Sequence, residues 1–409
     1  MAHIDEYRPV VGDQIIDELH IIARKLSGIN IQNINSTYYG GGVAEILSRM
    51  IPLMQSLGVG VWWDVIKGDP RFFDITKKFH NGLHGTSVSL SREEFNYFLE
   101  VNAANSQKMS RWGDVVFVHD PQPIGLIKNK RRLKNKWAWR CHIDFSHPQR
   151  DIWLFLKKFI ERYEASVFSA PSFARKLSIR QVLISPSIDP LSDKNKELDS
   201  QFIESTLAKF GIDKEKPIVT QVSRFDYLKD PVGVIKAYQQ VKKYIDCQLV
   251  LAGGGAADDP EGQKVLDEVY NAAQSDKDIF VLNLPPDSHL EINALQQASS
   301  VILQKSLREG FGLTVAEALW KEKPVIASCV GGIPLQIAHK YSGILTYTVE
   351  GTAYWIKHLI NEPEYAARLG KNGKQHVKNN FLITRHIQDY LLLFLILYDP
   401  SEVVYLNHN

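Results

Sequence analysis

Short apolar runs bounded by polar turns alternate along this chain with segments in which apolar residues recur every three to four positions. The segments at 29–35, 59–63, 114–118, 137–144 and 179–188 predict strands in the first half. Those at 217–223, 248–252, 279–282 and 301–303 predict strands in the second half. Helical stripes at 13–26, 43–57, 288–299 and 384–398, and another beginning at Thr314, lie between them. Strand and helix in alternation is the pattern of a mostly parallel sheet covered on both faces, so the fold class is α/β. The most apolar run, at 390–398, is about half the length a bilayer span needs and reads as a buried helix.

Four hundred and nine residues exceed one ordinary core and indicate two domains. The polar, charged, proline-containing stretch at 189–199 is the natural linker. The expected division is 1–188 and 189–380. A formal net charge of +2, with 23% charged residues, gives no global electrostatic case for nucleic acid or an anionic membrane. Cys141, Cys247 and Cys329 are scattered, with no CxxC pair and no zinc quartet, which fits a reducing cytosol. The N-terminus lacks a basic start followed by an apolar core, so no secretory signal is expected. The basic run KNKRRLKNK at 128–136 has no accompanying apolar face and reads more simply as a solvated loop than as a membrane-docking patch.

Chemistry concentrates at 303–322, LQKSLREGFGLTVAEALWKE, where a strand end runs through Glu309 and Gly310-Phe311-Gly312 into a helix. Two glycines around one aromatic bare backbone N–H groups at the helix mouth, which suits an anionic or strongly polar ligand. Glu309 and Glu317 are eight residues apart, about 12 Å of helical rise. A glycosidase carboxylate pair stands roughly 5 to 9.5 Å apart, so these two do not serve one atom. Thr314-x-x-Glu317 also matches a capping box, which would account for Glu317 locally.

In the first half, Gly40-Gly41-Gly42 between a strand and a helix offers amides to a phosphate. A nicotinamide-binding reading fails because Glu45 occupies the third glycine position of G-x-G-x-x-G. Strand ends at HDPQP (119–123) and WAWRCHID (137–144) place Asp120, Gln122, Arg140, His142 and Asp144 where open α/β sheets bind ligands. Arg224 and Lys229, after the strand at 217–223, supply two cations suited to a diphosphate leaving group.

REGFGLTVAEALW followed by KPVIASCVGGIP resembles the donor-site signature of the retaining family-4 glycosyltransferases of the GT-B fold, and SRFDYLKDP resembles their R-x-x-x-x-K segment. HDPQP, WRCHID and DDPEG resemble the trehalose-forming members, the trehalose glycosyltransferring synthases. The resemblance implies two Rossmann-like domains facing each other across a cleft, with the segment 381–409 crossing back to the first. It also implies a cytosolic glucosyltransferase making α,α-trehalose, reversibly and with retention, from a nucleoside diphosphate glucose and glucose. On that footing Glu309 positions the donor sugar, and Arg224, Lys229 and the amides of Gly310, Phe311, Gly312, Leu313 and Thr314 hold the diphosphate. Glu317 takes the ribose, and Gly41 and Gly42 face the diphosphate and sugar. Glu45, Asp120, Gln122, Arg140, His142 and Asp144 line the acceptor pocket, with His142 near the reacting carbon. Glu309, His142, Arg224 and Lys229 are the catalytic candidates. No covalent nucleophile, required cofactor or metal is implied, magnesium being at most a stimulant, and no DxD lies between apolar strands. The partners are small molecules, namely the nucleotide sugar, glucose and trehalose. Nucleic acid and membrane insertion are not expected, and a homodimer is compatible. A retaining trehalose phosphorylase would share these motifs, as would a transferase to another acceptor.

Overall fold

The structure is a computed structural model that describes residues 3–39, 42–109, 111–132, 134–254, 260–274 and 276–401. The chain divides into two compact units. The first runs to Pro186 and takes back the helix Ile383–Tyr398, and the second is Ser187–Leu382.

Six parallel strands build the first unit: β1 (Asn30–Asn35), β2 (Gly60–Val65), β3 (Val115–His119), β4 (Lys136–Cys141), β5 (Ala165–Phe168) and β6 (Arg180–Leu183). Their order is β2-β1-β3-β4-β5-β6. Because the chain moves from β1 outward to β2 and then back to β3 on the other side, the topological switch lies between β1 and β3. Ligands in open α/β sheets bind outside the carboxyl ends at such a switch. β3 is buried at every position and reads as a continuous apolar run, as a strand covered on both faces must. β6 is shorter than the expected 179–188 and largely exposed, since it forms the sheet edge and Pro186 cannot donate to a ladder.

The aromatic-dotted stretch at 72–105 forms two helices, Pro70–Leu83 and Arg92–Lys108. Asp69 caps the first through the N–H of Phe72, ahead of proline at the first helical position, and Ser91 with Glu94 makes a capping box on the second. Phe72, Phe79 and Phe98 pack together beneath them. The helix Ile383–Tyr398 lies against Asp13–Lys25, Gly42–Ser56 and β3. It buries Ile387, Tyr390, Leu391 and Phe394. Arg385 anchors its start by donating to the carbonyls of Ser185 (2.8 Å) and Pro186 (3.2 Å).

The second unit repeats the design with β7 (Ile218–Val222), β8 (Gln248–Gly253), β9 (Ile279–Asn283), β10 (Val301–Gln304), β11 (Val325–Ser328) and β12 (Ile344–Thr346). All are parallel in the order β12-β11-β10-β7-β8-β9, so the switch falls between β7 and β10. Glycine is required where β8 ends: a Cβ on Gly253 would lie 1.8 Å from the carbonyl oxygen of Ser223.

Candidate active site

In the second unit the segments leaving β7 and β10, on the two sides of the switch, carry the cations and the carboxylate. Lys229 ends the short 3-10 turn Tyr227–Lys229 after β7, and its Nζ donates to Glu309 Oε2 at 2.5 Å. The same oxygen accepts from Gln304 Nε2 (3.2 Å) and Ser306 Oγ (3.1 Å). Glu309 Oε1 makes no hydrogen bond among the described residues, which leaves one carboxylate oxygen unengaged. Gln221 joins the two strand ends, donating to the Lys229 carbonyl (2.9 Å) and accepting from the Lys305 N–H (2.9 Å). Next in the chain, Asp230 holds a left-handed φ of 46° and caps the helix Pro231–Lys242, with its carboxylate paired to Lys305 Nζ. Arg224 is not drawn into this network. Its side chain is 63% exposed and pairs with Asp226 at 3.0 Å.

Gly310 to Leu313 lead into the helix Leu313–Trp320 through Gly312 at φ 81°, a conformation that favours glycine. The first turn of any helix leaves N–H groups unpaired, and among the described residues that of Val315 alone turns back here, to Gly312 O (2.9 Å). Gln336 Nε2 ties back the carbonyl of Phe311 (2.5 Å), with that of Gly312 at 3.3 Å. The expected capping box is absent because Gly312, two residues before Thr314, is the N-cap and makes no side-chain cap. Thr314 Oγ1 donates instead to Gln304 Oε1 (2.8 Å), which turns the Gln304 amide N–H toward Ser306 and Glu309. Glu317 is buried, and Lys321 donates to its main-chain carbonyl (3.1 Å). Burial brings the Lys321 ammonium down to about 8.

Gly331, in the turn after β11, buttresses Glu309. At φ 56° a Cβ there would stand 1.6 Å from the Glu309 carbonyl oxygen. Gly331→Ala is expected to cost more than about 1 kcal/mol of stability and to lower turnover by displacing Glu309, read as a fall in both Tm and kcat.

In the first unit the sites lie at the ends of β1, β3 and β4. Asp120 adopts a left-handed φ of 64°, and this turn is stapled. Its N–H donates to Arg140 O (2.7 Å), its Oδ1 accepts from His142 N (2.8 Å), and its carbonyl accepts from Trp139 Nε1 (2.9 Å). Burial raises the Asp120 carboxyl to about 6. Arg140 is fully buried. It donates from Nη2 to Ile184 O (3.0 Å) and lies 5.4 Å from the Tyr390 ring, while Nη1 has no partner among the described residues. His142 is brought to His119 (Nε2 to Nδ1, 3.0 Å) and to Arg140 (Nδ1 to Nε, 3.4 Å). His119 in turn meets Asn33 Oδ1 at 3.1 Å. Gln122 Oε1 is buried without a partner among the described residues, whereas Asp144 Oδ1 is engaged by Ser146 N (2.9 Å) and Oγ (2.5 Å). Glu45 is exposed in the first turn of Gly42–Ser56. Gly41 and the DDPEG loop up to Asp259 lie outside the described residues, as do Leu133 and the side chains of Arg131 and Arg132 in the basic run. Of that run, Lys130 pairs with Glu164 at 2.8 Å.

The histidines make an acid-labile cluster. Burial, followed by the nearby Arg140 charge, drives His119 down to about 3 and holds His142 and His386 well below the usual imidazole range. Below about pH 6.5 an unfolded chain takes up these three protons and the folded chain does not, so stability falls on acidification. Asp120 acts in the opposite sense, since the folded chain keeps its proton up to about pH 6. Three against one leaves a net loss of about 2 to 3 kcal/mol per pH unit between pH 6.5 and 4.5. Urea unfolding at pH 7, 6 and 5 should show it, and a flat profile would contradict neutral histidines in this cluster.

Gln304, Ser306, Gln221 and Asn33 are not candidates from sequence, and His119 enters there as the first residue of the strand end HDPQP. The signal for Gln304 is a polar residue closing an otherwise apolar strand, VILQ at 301–304. Among the described residues no helix is long and apolar enough to cross a membrane.

Comparison with known proteins places this geometry in context. A family model for the N-terminal domain of trehalose synthase matches residues 33–175, and one for glycosyl transferases group 1 matches residues 202–376. A trehalose synthase of Pyrococcus horikoshii is 43% identical over 394 residues, covering 95% of each chain. A trehalose phosphorylase of Pleurotus pulmonarius is more distant, 32% identical over 84% of this chain and 54% of its own. In fold, a UDP-forming α,α-trehalose-phosphate synthase of Burkholderia xenovorans in complex with glucose-6-phosphate superposes with a TM-score of 0.70. That pair is 14% identical, with 90% of this chain and all of that one covered.

Proposed function

This chain belongs to the trehalose synthase family of GT-B glycosyltransferases, and from that premise we propose that it transfers glucose from a nucleoside diphosphate glucose to C1 of glucose with retention. The family makes it a trehalose-forming glycosyltransferase. The donor, the stereochemistry and the residue roles are the proposal.

The observation that carries the donor half is the Lys229–Glu309 pair across the switch between β7 and β10. One carboxylate oxygen is fixed by three donors while the other is left for a hydroxyl of the transferred glucose. Lys229, already beside that sugar site, is placed to neutralise charge as it grows on the leaving phosphate. The amides from Gly310 to Thr314 add the positive end of the helix Leu313–Trp320. Arg224, exposed and paired among the described residues with Asp226 alone, can swing to a diphosphate without breaking a buried contact. Glu317 takes the ribose. A nucleotide donor is further supported by the structural neighbour being UDP-forming.

In the step itself the bond from glucosyl C1 to the β-phosphate oxygen breaks, and a bond forms from C1 to O1 of the acceptor on the same face. The acceptor O1–H proton passes to the departing phosphate oxygen. Asp120 and Gln122 address acceptor hydroxyls. Catalysis then rests on positioning and preorganised charge rather than on a protein nucleophile. Because the product joins two anomeric centres, its bond is energy-rich enough for the reaction to run backwards. The buried thiols of Cys141 and Cys247 fit work in a reducing cytoplasm.

The test is to incubate the protein with several nucleoside diphosphate glucoses and glucose and to identify the product by NMR. α,α-Trehalose is expected, together with release of nucleotide sugar from trehalose and nucleoside diphosphate in phosphate-free buffer. Turnover of trehalose only when inorganic phosphate is supplied would replace this reading with phosphorolysis.

A further inference from the structure

We propose that Asn33, His119, His142 and Arg140 form a hydrogen-bond relay of fixed direction that positions His142 and leaves it no basic nitrogen. The inference deepens the acceptor half of the reading above and rests on it for its functional meaning. The relay itself stands on geometry.

The direction follows from the one member that cannot change. Arg140 Nε carries a hydrogen and no lone pair, so it only donates. Its neighbour at 3.4 Å is His142 Nδ1, which must therefore present a lone pair. The His142 proton then sits on Nε2, 3.0 Å from His119 Nδ1, and that nitrogen must be the acceptor. His119 is left with its proton on Nε2, 3.1 Å from Asn33 Oδ1, an oxygen that only accepts. Every link is satisfied in this direction. Run the other way, His142 would point an N–H at the N–H of Arg140.

The links span three neighbouring strands, with Asn33 on β1, His119 on β3, Arg140 on β4 and His142 just past it, so the relay crosses the switch point of the first sheet. The two imidazoles lie 25° from parallel with centroids 5.3 Å apart. Doubly protonated rings would break the chain at one link. The charged and titratable groups around it are Asp120 from the end of β3 and, on the last helix, His386, Tyr390, Arg385 and Asp389. Arg140 lies over Tyr390, and the ring of His386 stands 4.5 Å from that of Tyr390, so the returning helix braces the Arg140 end. The consequence for chemistry is that His142 is a positioning residue. With Nδ1 facing a guanidinium and Nε2 donating inward, it has no site from which to deprotonate the acceptor, and that proton is left to the departing phosphate.

Two measurements test it. In substrate-free protein labelled with ¹⁵N-histidine, both rings are expected to be neutral with the proton on Nε2 throughout pH 5.5 to 8. A proton on Nδ1 of either ring, or titration of His142 in that range, would overturn the relay. In kinetics, His119→Leu removes the acceptor for His142. The expected result is a fall in kcat of about tenfold or more and a new acid limb in the pH profile as the released ring titrates. His119→Gln can accept at Oε1 and donate from Nε2 in the same direction, and is expected to stay within about threefold of the parent without that limb. Equal loss in both variants, or no loss in either, would show that the direction does not matter. Should the wild type make no trehalose while the tautomer pattern holds, the functional reading fails and the relay stands.

Discussion

Glu309→Gln is expected to lower kcat by about 10²- to 10³-fold, the size of effect seen when one preorganised charged group is removed from a transition-state site. Glutamine keeps the shape and one acceptor oxygen, so the side chain still fits between Gln304, Ser306 and Lys229. What it loses is the charge that accepts three donors at one oxygen. Its amide must turn an N–H toward either those donors or the sugar. The Lys229 ammonium is released by the change and remains free for the diphosphate, so the KM for the nucleotide sugar is not expected to rise. Steady-state kinetics at saturating glucose, with Tm as a check on folding, decides the matter. Retention of more than about a tenth of kcat would remove Glu309 from the reaction.

Lys229→Met is expected to cost a similar factor of about 10² to 10³ in kcat/KM for the nucleotide sugar, for two reasons that can be separated. One cation near the leaving phosphate is gone, and Glu309, only 10% exposed at its side chain, is left without the ammonium that pairs with it. A buried carboxylate left without its cation is destabilised, so the variant should also show a lower Tm than the parent. Combining it with Glu309→Gln should cost little more than Lys229→Met alone, because the two side chains act on each other. Full additivity in the double variant would mean that the 2.5 Å contact has no part in catalysis.

Strands were legible where a parallel strand buried on both faces is a short apolar run, and β3, β7 and β8 lie within one or two residues of their expected limits. β5, β11 and β12, three or four residues long, fall outside the segments expected as strands. The helix Pro70–Leu83 carries a start signal in Asp69-Pro70 and a face in Phe72, Ile75, Phe79 and Leu83, and the exposed ring of Phe73 beside that face blurs the stripe. The capping box failed for a different reason. A sequence shows that Thr314 and Glu317 are three apart, but not that the chain has already entered the helix at Leu313.

By itself the sequence determined the two-unit α/β architecture, the strand ends on which candidate groups sit, and a motif set matching trehalose-forming glycosyltransferases. These follow from local periodicity and from short contiguous patterns. Only the tertiary structure decided which of those groups act together: Lys229 with Glu309, 80 residues apart, and Asn33 with His119, 86 residues apart. It also set apart Asp144, engaged by Ser146, and Arg140, buried beneath Tyr390. The physical reason is that side-chain hydrogen bonds depend on ångström-scale placement across neighbouring parallel strands. That register is fixed by packing of the whole sheet, and no window of sequence contains it.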